Sequence, residues 1–273
     1  MENTVYECKA RGSFRKEGIS PLAGDRVSIL LSDDETGTVE EILPRRNCLV
    51  RPPIANLDCL AITVSVAQPR PNFLLLDTLI AIAENNAIEP VLVITKADLQ
   101  DTKDIEGIYS KAGFSVFVVT NTDAKTVGPL AQFLRGKITA VTGNSGVGKS
   151  SLLNLIEPNL HRETAEISKK LGRGRHTTRS AELFRLSGGG YLADTAGFSV
   201  LDLEKAMPID ADKVFDCFRE FEPYFGKCRF TGCVHAHEPN CAIREAVENG
   251  EISHSRYQSY VTLYEEMKKQ KKW

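Results

Sequence analysis

Eight consecutive residues, Gly143-Asn144-Ser145-Gly146-Val147-Gly148-Lys149-Ser150, restrict what this chain can fold into more than any other feature. Glycine tolerates the left-handed backbone that other residues avoid, so three glycines this close together predict a sharp turn. The β-branched, apolar run Ile138 to Val141 precedes the turn, and a helix-like stretch from Ser151 to Ile156 follows it. Strand, glycine-rich turn and helix in that order make the G-x-x-x-x-G-K-[ST] phosphate-binding unit. Its backbone N–H groups are presented to phosphate oxygens, and the helix N-terminus adds its dipole. Lys149 is expected to reach the β- and γ-phosphates, and the Ser150 hydroxyl to hold Mg²⁺.

The surrounding chain repeats that strand–helix texture. Ala61 to Ala67, Val91 to Ile94 and Val116 to Val119 read as buried strands, and Phe73 to Ala87 has helical spacing in Leu76, Leu79, Ile80 and Ile82. Such alternation predicts an α/β domain with a mainly parallel sheet. Before it, Val27 to Leu31 and Gly37 to Ile42 are β-like and no helical period appears, which predicts a small β-barrel or sheet module. After about residue 204, Val214, Phe215, Phe218 and Phe221 are predicted to share one helical face. Ser253 is expected to cap a last helix in which Tyr257, Tyr260, Val261, Tyr264 and Met267 share another. The expected division is therefore 1–50, 51–203 and 204–273. No apolar run approaches a membrane span, and Met1 to Phe14 lacks the apolar core of a secretory signal, so a cytosolic protein is expected. The net charge of −2 says nothing about partners.

Two further elements choose the nucleotide. Asp194-Thr195-Ala196-Gly197 lies about 45 residues after the phosphate loop and resembles the D-x-x-G element of GTPases, with Asp194 toward Mg²⁺ and Gly197 N–H sensing the γ-phosphate. Thr95-Lys96-Ala97-Asp98 follows the Val91 to Ile94 strand and resembles the base-reading N-K-x-D element. A carboxylate at Asp98 accepts from the two donors on the guanine edge, a pair that adenine lacks; the Lys96 stem lies along the base, and Thr95 replaces the usual asparagine. Thr120-Asn121 resembles the second guanine-contacting loop. Both base-side elements precede the phosphate loop, the reverse of the usual order, and so predict a circular permutation. The expected GTP-binding set is Thr95, Lys96, Ala97, Asp98, Thr120, Asn121, Gly143 to Ser150, Ser151, Asp194 and Gly197.

Seven cysteines are present. In a reducing cytosol clustered cysteines point to metal rather than disulfides. Cys8, Cys48, Cys59 and Cys217 are scattered and read as buried, inert thiols. Cys228-x4-Cys233-x-His235-x5-Cys241 supplies three thiolates and an imidazole, a set suited to one structural, tetrahedral Zn²⁺; His237 is a competing imidazole.

Taken in order, the β-rich start, T-K-A-D before G-N-S-G-V-G-K-S, D-T-A-G after it and the C-x4-C-x-H-x5-C tail resemble one family over nearly the whole chain. It is that of the bacterial, circularly permuted GTPases that depend on the small ribosomal subunit. Gly24-Asp25-Arg26-Val27, Pro44-Arg45-Arg46 and Arg51-Pro52-Pro53 also look like that family's first module. The resemblance implies an N-terminal OB-fold, a permuted P-loop GTPase domain and an α-helical zinc-binding domain. It further implies late maturation of the 30S subunit, contact with 16S rRNA, and hydrolysis of GTP to GDP stimulated by the subunit. Family members carry a strand pair ahead of the segment matching Tyr6 to Arg15, so this barrel is expected to lack a strand or to be filled differently.

Catalysis needs an ordered first switch, expected within Lys169 to Arg179. Thr178 is expected to hold Mg²⁺, in preference to Thr177. Phe198 stands where many GTPases place a water-orienting glutamine, so His176 is the candidate for that task. Lys169, Lys170, Arg173, Arg175 and Arg179 suit RNA phosphates or form a solvated loop, and Lys268 to Trp273 add a basic tail. Nothing in the sequence suggests a dimer, so a monomer is expected. A GTP-gated binding module without appreciable hydrolysis and a different P-loop enzyme, such as a nucleotide kinase, are the competing readings.

Overall fold

The computed structural model describes residues 4–16, 18–32, 36–49, 53–120, 122–158, 182–193 and 209–270. Its centre is a six-stranded sheet: β6 (Cys59–Ser65), β7 (Glu89–Thr95), β8 (Ser115–Val118), β9 (Ile138–Thr142), β10 (Leu183–Arg185) and β11 (Tyr191–Ala193), in the order β10-β11-β9-β6-β7-β8. All neighbours are parallel except β10 and β11, an antiparallel pair at one edge. The central strands are almost continuously apolar because both faces are covered. Leu60, Ile62 and Val64 of β6 face one core cluster; Cys59 and Ala61 face the other.

The crossovers are helical. Helix α2 (Phe73–Asn85) joins β6 to β7, α3 (Lys103–Lys111) joins β7 to β8, and α4 (Gly128–Phe133) precedes β9. Asn72 starts α2, its side chain accepting from Leu75 N at 3.1 Å, and Leu76, Leu79, Ile80 and Ala83 turn the buried stripe inward. Helix α5 (Lys149–Ile156) leaves the glycine-rich turn after β9. Chain order thus runs from β6 toward one edge through β7 and β8, then returns to β9 on the other side of β6. Such a reversal leaves a crevice at the carboxyl ends of the strands, where ligands of open α/β sheets bind.

Among the described residues the N-terminal region forms a three-stranded sheet, β1 (Glu7–Ala10), β3 (Thr36–Ile42) and β2 (Val27–Leu31), against the five strands of an OB barrel. Strand β3 lies centrally, parallel to β1 and antiparallel to β2. A five-residue helix, α1 (Gly12–Lys16), lies between β1 and β2; it is too short to show a sequence period. The hairpin of β4 (Cys48–Leu49) and β5 (Ile54–Ala55) follows, and Arg45 pairs with Asp25 at 2.7 Å.

The C-terminal region corrects one expectation. Val214, Phe215, Phe218 and Phe221 do not share an α-helix but lie along three short 3₁₀ turns, Ala211–Lys213, Phe215–Cys217 and Arg219–Tyr224. Phe218 is extended (φ −115°, ψ 90°) and Pro223 has no N–H to donate, so no i→i−4 ladder can run through. Phe218 and Phe221 are buried all the same, stacked at 5.2 Å between centroids. Helices α6 (Ala242–Glu248) and α7 (His254–Gln270) are the last described elements, and the Ser253 backbone carbonyl opens α7 by accepting from Tyr257 N–H at 3.0 Å. Tyr260 and Tyr264 are buried, and Tyr257, Val261 and Met267 pack against the same core.

Cysteine burial also divides differently from expectation. Cys59 and Cys217 are buried, whereas Cys8 and Cys48 are half-exposed, being on the small N-terminal sheet and hairpin with little to cover them. Burial pushes the Cys59 thiol up to about 11 and the Cys217 thiol up to about 12. No helix of the described residues is long and apolar enough to cross a membrane.

Candidate nucleotide site and metal centre

The glycine-rich turn sits at the carboxyl end of β9, as the motif demands. Gly143 has φ 142°, Gly146 φ 79° and Gly148 φ 101°. A Cβ on Gly143 would lie 2.3 Å from the Thr63 carbonyl oxygen, so the loop packs directly on the end of β6. Gly148 caps α5, whose first turn presents Lys149, Ser150 and Ser151; both serines are exposed. The Lys149 ammonium folds onto its own loop, Nζ donating to Gly143 O at 2.6 Å and Asn144 O at 2.7 Å. Burial pulls its pKa below the usual lysine value. Val147 is buried, while Asn144, Ser145 and Gly146 line the open side.

The loop after β7 lies across the end of β6 from the phosphate loop, and two residues join the two loops. Thr95 is buried, and its hydroxyl lies 2.5 Å from Val147 O and 3.1 Å from Val64 O. Lys96, at φ 60°, turns the chain out of the sheet; its Nζ donates to Gly146 O at 2.8 Å and to Gln68 O. Ala97 is half-buried and Asp98 is exposed. Thr120 follows β8, the third strand end in the row, where its N–H donates to Thr126 Oγ1 at 3.1 Å. Thr95 to Asp98, Thr120 and Gly143 to Ser151 therefore gather at one end of the sheet. Asn121, His176, Thr177, Thr178, Asp194, Gly197, Phe198 and the Lys169–Arg179 segment lie outside the described residues. Sequence reasoning missed Gln68, whose carbonyl receives Lys96; a backbone acceptor in a connecting loop leaves no residue-type signal.

Cys228, Cys233, His235 and Cys241 bring their donor atoms within 4.8 Å of one another and could hold a metal ion. Cys228 Sγ and Cys241 Sγ are 3.8 Å apart, and each is 3.4 Å from His235 Nδ1. The Ala242 N–H points at Cys228 Sγ from 3.4 Å, a contact suited to a thiolate. His235 is buried at φ 60°, whereas His237 is exposed and lies 3.4 Å from Glu265 instead. The ligand loop is fixed from both sides. Glu238 accepts the N–H groups of Val234, Ala236 and His237, each at 3.1 Å. From α7, the Tyr257 hydroxyl is 3.0 Å from the carbonyls of His235 and Ala236, and that of Tyr260 donates to Val234 O. The tyrosines were legible only as a core stripe, since spacing along a helix does not reveal where a hydroxyl points.

A family model described as RsgA GTPase matches residues 42–204, and one described as RsgA N-terminal domain matches 1–39. A protein of Caldanaerobacter subterraneus named small ribosomal subunit biogenesis GTPase RsgA is 44% identical over 99% of this chain and 92% of its own length. One of the same name from Geobacillus kaustophilus is 43% identical over 99% and 93%. The crystal structure of YjeQ from Thermotoga maritima superposes with a TM-score of 0.81 at 36% identity, covering 95% of this chain and 89% of that one. YloQ, described as a circularly permuted GTPase, gives 0.80 at 33% identity, with 98% and 88% covered. With the base-side loop ahead of the phosphate loop in the chain and beside it in space, and matches of this extent, the chain belongs to the RsgA GTPase family.

Proposed function

We propose that this chain is a cytoplasmic GTPase that binds the small ribosomal subunit, assists its late maturation, and hydrolyses GTP to GDP and phosphate when the subunit stimulates it. The observation that carries the reading is the joining of two loops across β6. Lys96, beside the base-reading Asp98, donates to Gly146 of the phosphate loop, so base and phosphate are read by one connected surface. Curated relatives named for small-subunit biogenesis support the cellular role.

In this reading the backbone of Gly143 to Ser150 cradles the phosphates, Lys149 exchanges its two loop carbonyls for phosphate oxygens, and Asp98 accepts from guanine. Thr120, Asn121 and Ser151 border the nucleotide, and Gly197 senses the γ-phosphate. Ser150, Thr178 and Asp194 would hold Mg²⁺, which neutralises charge on the phosphates. His176 orients the attacking water in place of a glutamine. The division into 1–50 as an RNA-binding module, 51–203 as the GTPase and 204–273 as the metal-binding module belongs to the same reading, as do 16S rRNA as the contact and a monomeric state.

For the metal centre we propose one structural Zn²⁺. Zn–S bonds of about 2.3 Å and Zn–N bonds of about 2.0–2.1 Å require tetrahedral S–S edges of about 3.8 Å and S–N edges of about 3.6 Å. The Cys228–Cys241 sulfur separation of 3.8 Å and the 3.4 Å from each of those sulfurs to His235 Nδ1 fit that frame, and Cys233 Sγ lies within 4.8 Å of all three. Four protein ligands leave no open position for chemistry.

The test is hydrolysis of GTP and ATP by the pure protein, with and without 30S subunits, beside His176→Ala. GTP-specific stimulation by the subunit, lost in the variant, is expected. Tight GTP binding without stimulation would overturn the enzyme reading in favour of a nucleotide-gated binding module.

A further inference from the structure

We infer that Thr95 positions the phosphate loop and does not touch the base, leaving guanine selection at this loop to Asp98 alone. The inference rests on the guanine-nucleotide reading of the site. Thr95 is the last residue of β7 and is fully buried, facing the end of β6 and the phosphate loop. A hydroxyl has one proton to donate. Both oxygens within reach of this one, Val147 O at 2.5 Å and Val64 O at 3.1 Å, are carbonyls that can only accept. The proton is therefore committed to the protein, and none remains for the acceptors O6 and N7 of guanine. Asparagine, the usual residue here, carries two amide protons and a longer reach, enough to hold the loop and touch the base together. Threonine keeps only the first of these tasks.

The neighbouring residue extends the same function. Lys96 holds Gly146 O at 2.8 Å, so the last residue of β7 and the one after it hold two consecutive carbonyls of the phosphate loop. Val147 is buried, and loss of the Thr95 hydroxyl would leave its carbonyl without that donor. The predicted result is a phosphate loop that presents its N–H groups less well, with the base pocket unaltered.

The experiment displaces a fluorescent GDP analogue with GDP, 7-deaza-GDP (which lacks the N7 acceptor), guanosine and ADP, on the unmodified protein and on T95V, T95S and T95N. The unmodified protein is expected to bind GDP and 7-deaza-GDP within about twofold of each other, since no donor is aimed at N7. T95V should weaken GDP by about 5- to 20-fold, the scale of one buried bond left unmade. It should leave guanosine and the GDP to 7-deaza-GDP ratio unchanged, and T95S should restore GDP binding, which a merely steric role would not predict. T95N should gain a preference for GDP over 7-deaza-GDP. Equal weakening of guanosine and GDP by T95V would overturn the inference. So would a more than about tenfold preference of the unmodified protein for GDP over 7-deaza-GDP that T95V removes. Should T95V fail to fold, that preference in the unmodified protein, kept in T95S and lost in T95A, overturns it equally. Failure of the unmodified protein to prefer GDP over ADP would instead remove the guanine site on which the inference stands.

Discussion

Arg256 of α7 and Asp77 of α2 are 179 residues apart in sequence, yet the guanidinium Nη1 lies 2.7 Å from Asp77 Oδ1, and neither side chain is more than 1% exposed. Glu220 takes the other edge of the guanidinium at 2.7 and 3.0 Å, Tyr109 donates to Asp77 at 3.0 Å, and the Phe218 ring lies 4.5 Å below. The last helix is thereby fastened to the crossover helix that follows β6. Removing one partner strands a buried charge, so Arg256→Ala should cost about 3–5 kcal/mol. Arg256→Lys should recover little, because an ammonium cannot replace a planar fork. Urea unfolding midpoints check both; a loss below about 1 kcal/mol would show the network to be dispensable.

The metal centre makes a separate prediction about its imidazole. His235→Ala should lose most of the bound metal, whereas His237→Ala should retain it, because only His235 sits among the thiols. Metal analysis of the purified proteins decides between them. A chelator should strip one ion per chain and lower the thermal midpoint while leaving helix content nearly unchanged, since α7 is packed on the main core through Tyr260, Phe218 and Phe221.

Two glycines of the phosphate loop should respond differently to alanine. At Gly143 the new Cβ meets the Thr63 carbonyl at 2.3 Å, and neither backbone can retreat without breaking the β6–β9 contact. At Gly146 the nearest atom is Pro69 Cδ at 3.7 Å, and the cost is that of φ 79° alone. Gly146→Ala should lose about 1–3 kcal/mol, and Gly143→Ala should lose more and abolish nucleotide binding. Thermal midpoints and GDP titration read the two effects.

Alkaline pH should weaken the fold through its buried thiols. The Cys59 thiol is held up at about 11 by burial, against an ordinary thiol value of 9.0. A raised folded-state value means that the protonated form is favoured on folding. This stability is present in full below pH 9 and is lost as pH rises toward 11, on the order of 2–3 kcal/mol. Cys59→Ala should flatten that alkaline limb of a pH–stability curve. At pH 8 a thiol reagent should label Cys8 and Cys48 rapidly and leave Cys59 and Cys217 intact, as mass spectrometry of the labelled protein will report.

Elements whose signal is local were legible in the sequence. The strand–turn–helix around Gly143 to Ser150 follows from residue types within a few positions, and the parallel sheet from apolar runs of strand length. The order of the base-side and phosphate loops was legible too, since it is a property of the chain rather than of space. What escaped was set by distant contacts. Phe215, Phe218 and Phe221 have helical spacing, but packing against α2 and α7 favours three broken 3₁₀ turns around Pro223 over one regular helix. Thr95 looked like a shortened base contact, and only the fold shows its hydroxyl turned toward Val147. Arg256 gave no hint of burial, because its partners come from three other segments of the chain.

The clasp around Cys228, Cys233, His235 and Cys241 couples that loop mechanically to the last helix. Carbonyls of Val234, His235 and Ala236 hang from two hydroxyls of α7, while Glu238 gathers the opposing amides. The loop that carries the four donors is thus tied to the last helix on one side and to its own carboxylate on the other, so a displacement of α7 must also slacken the donor loop.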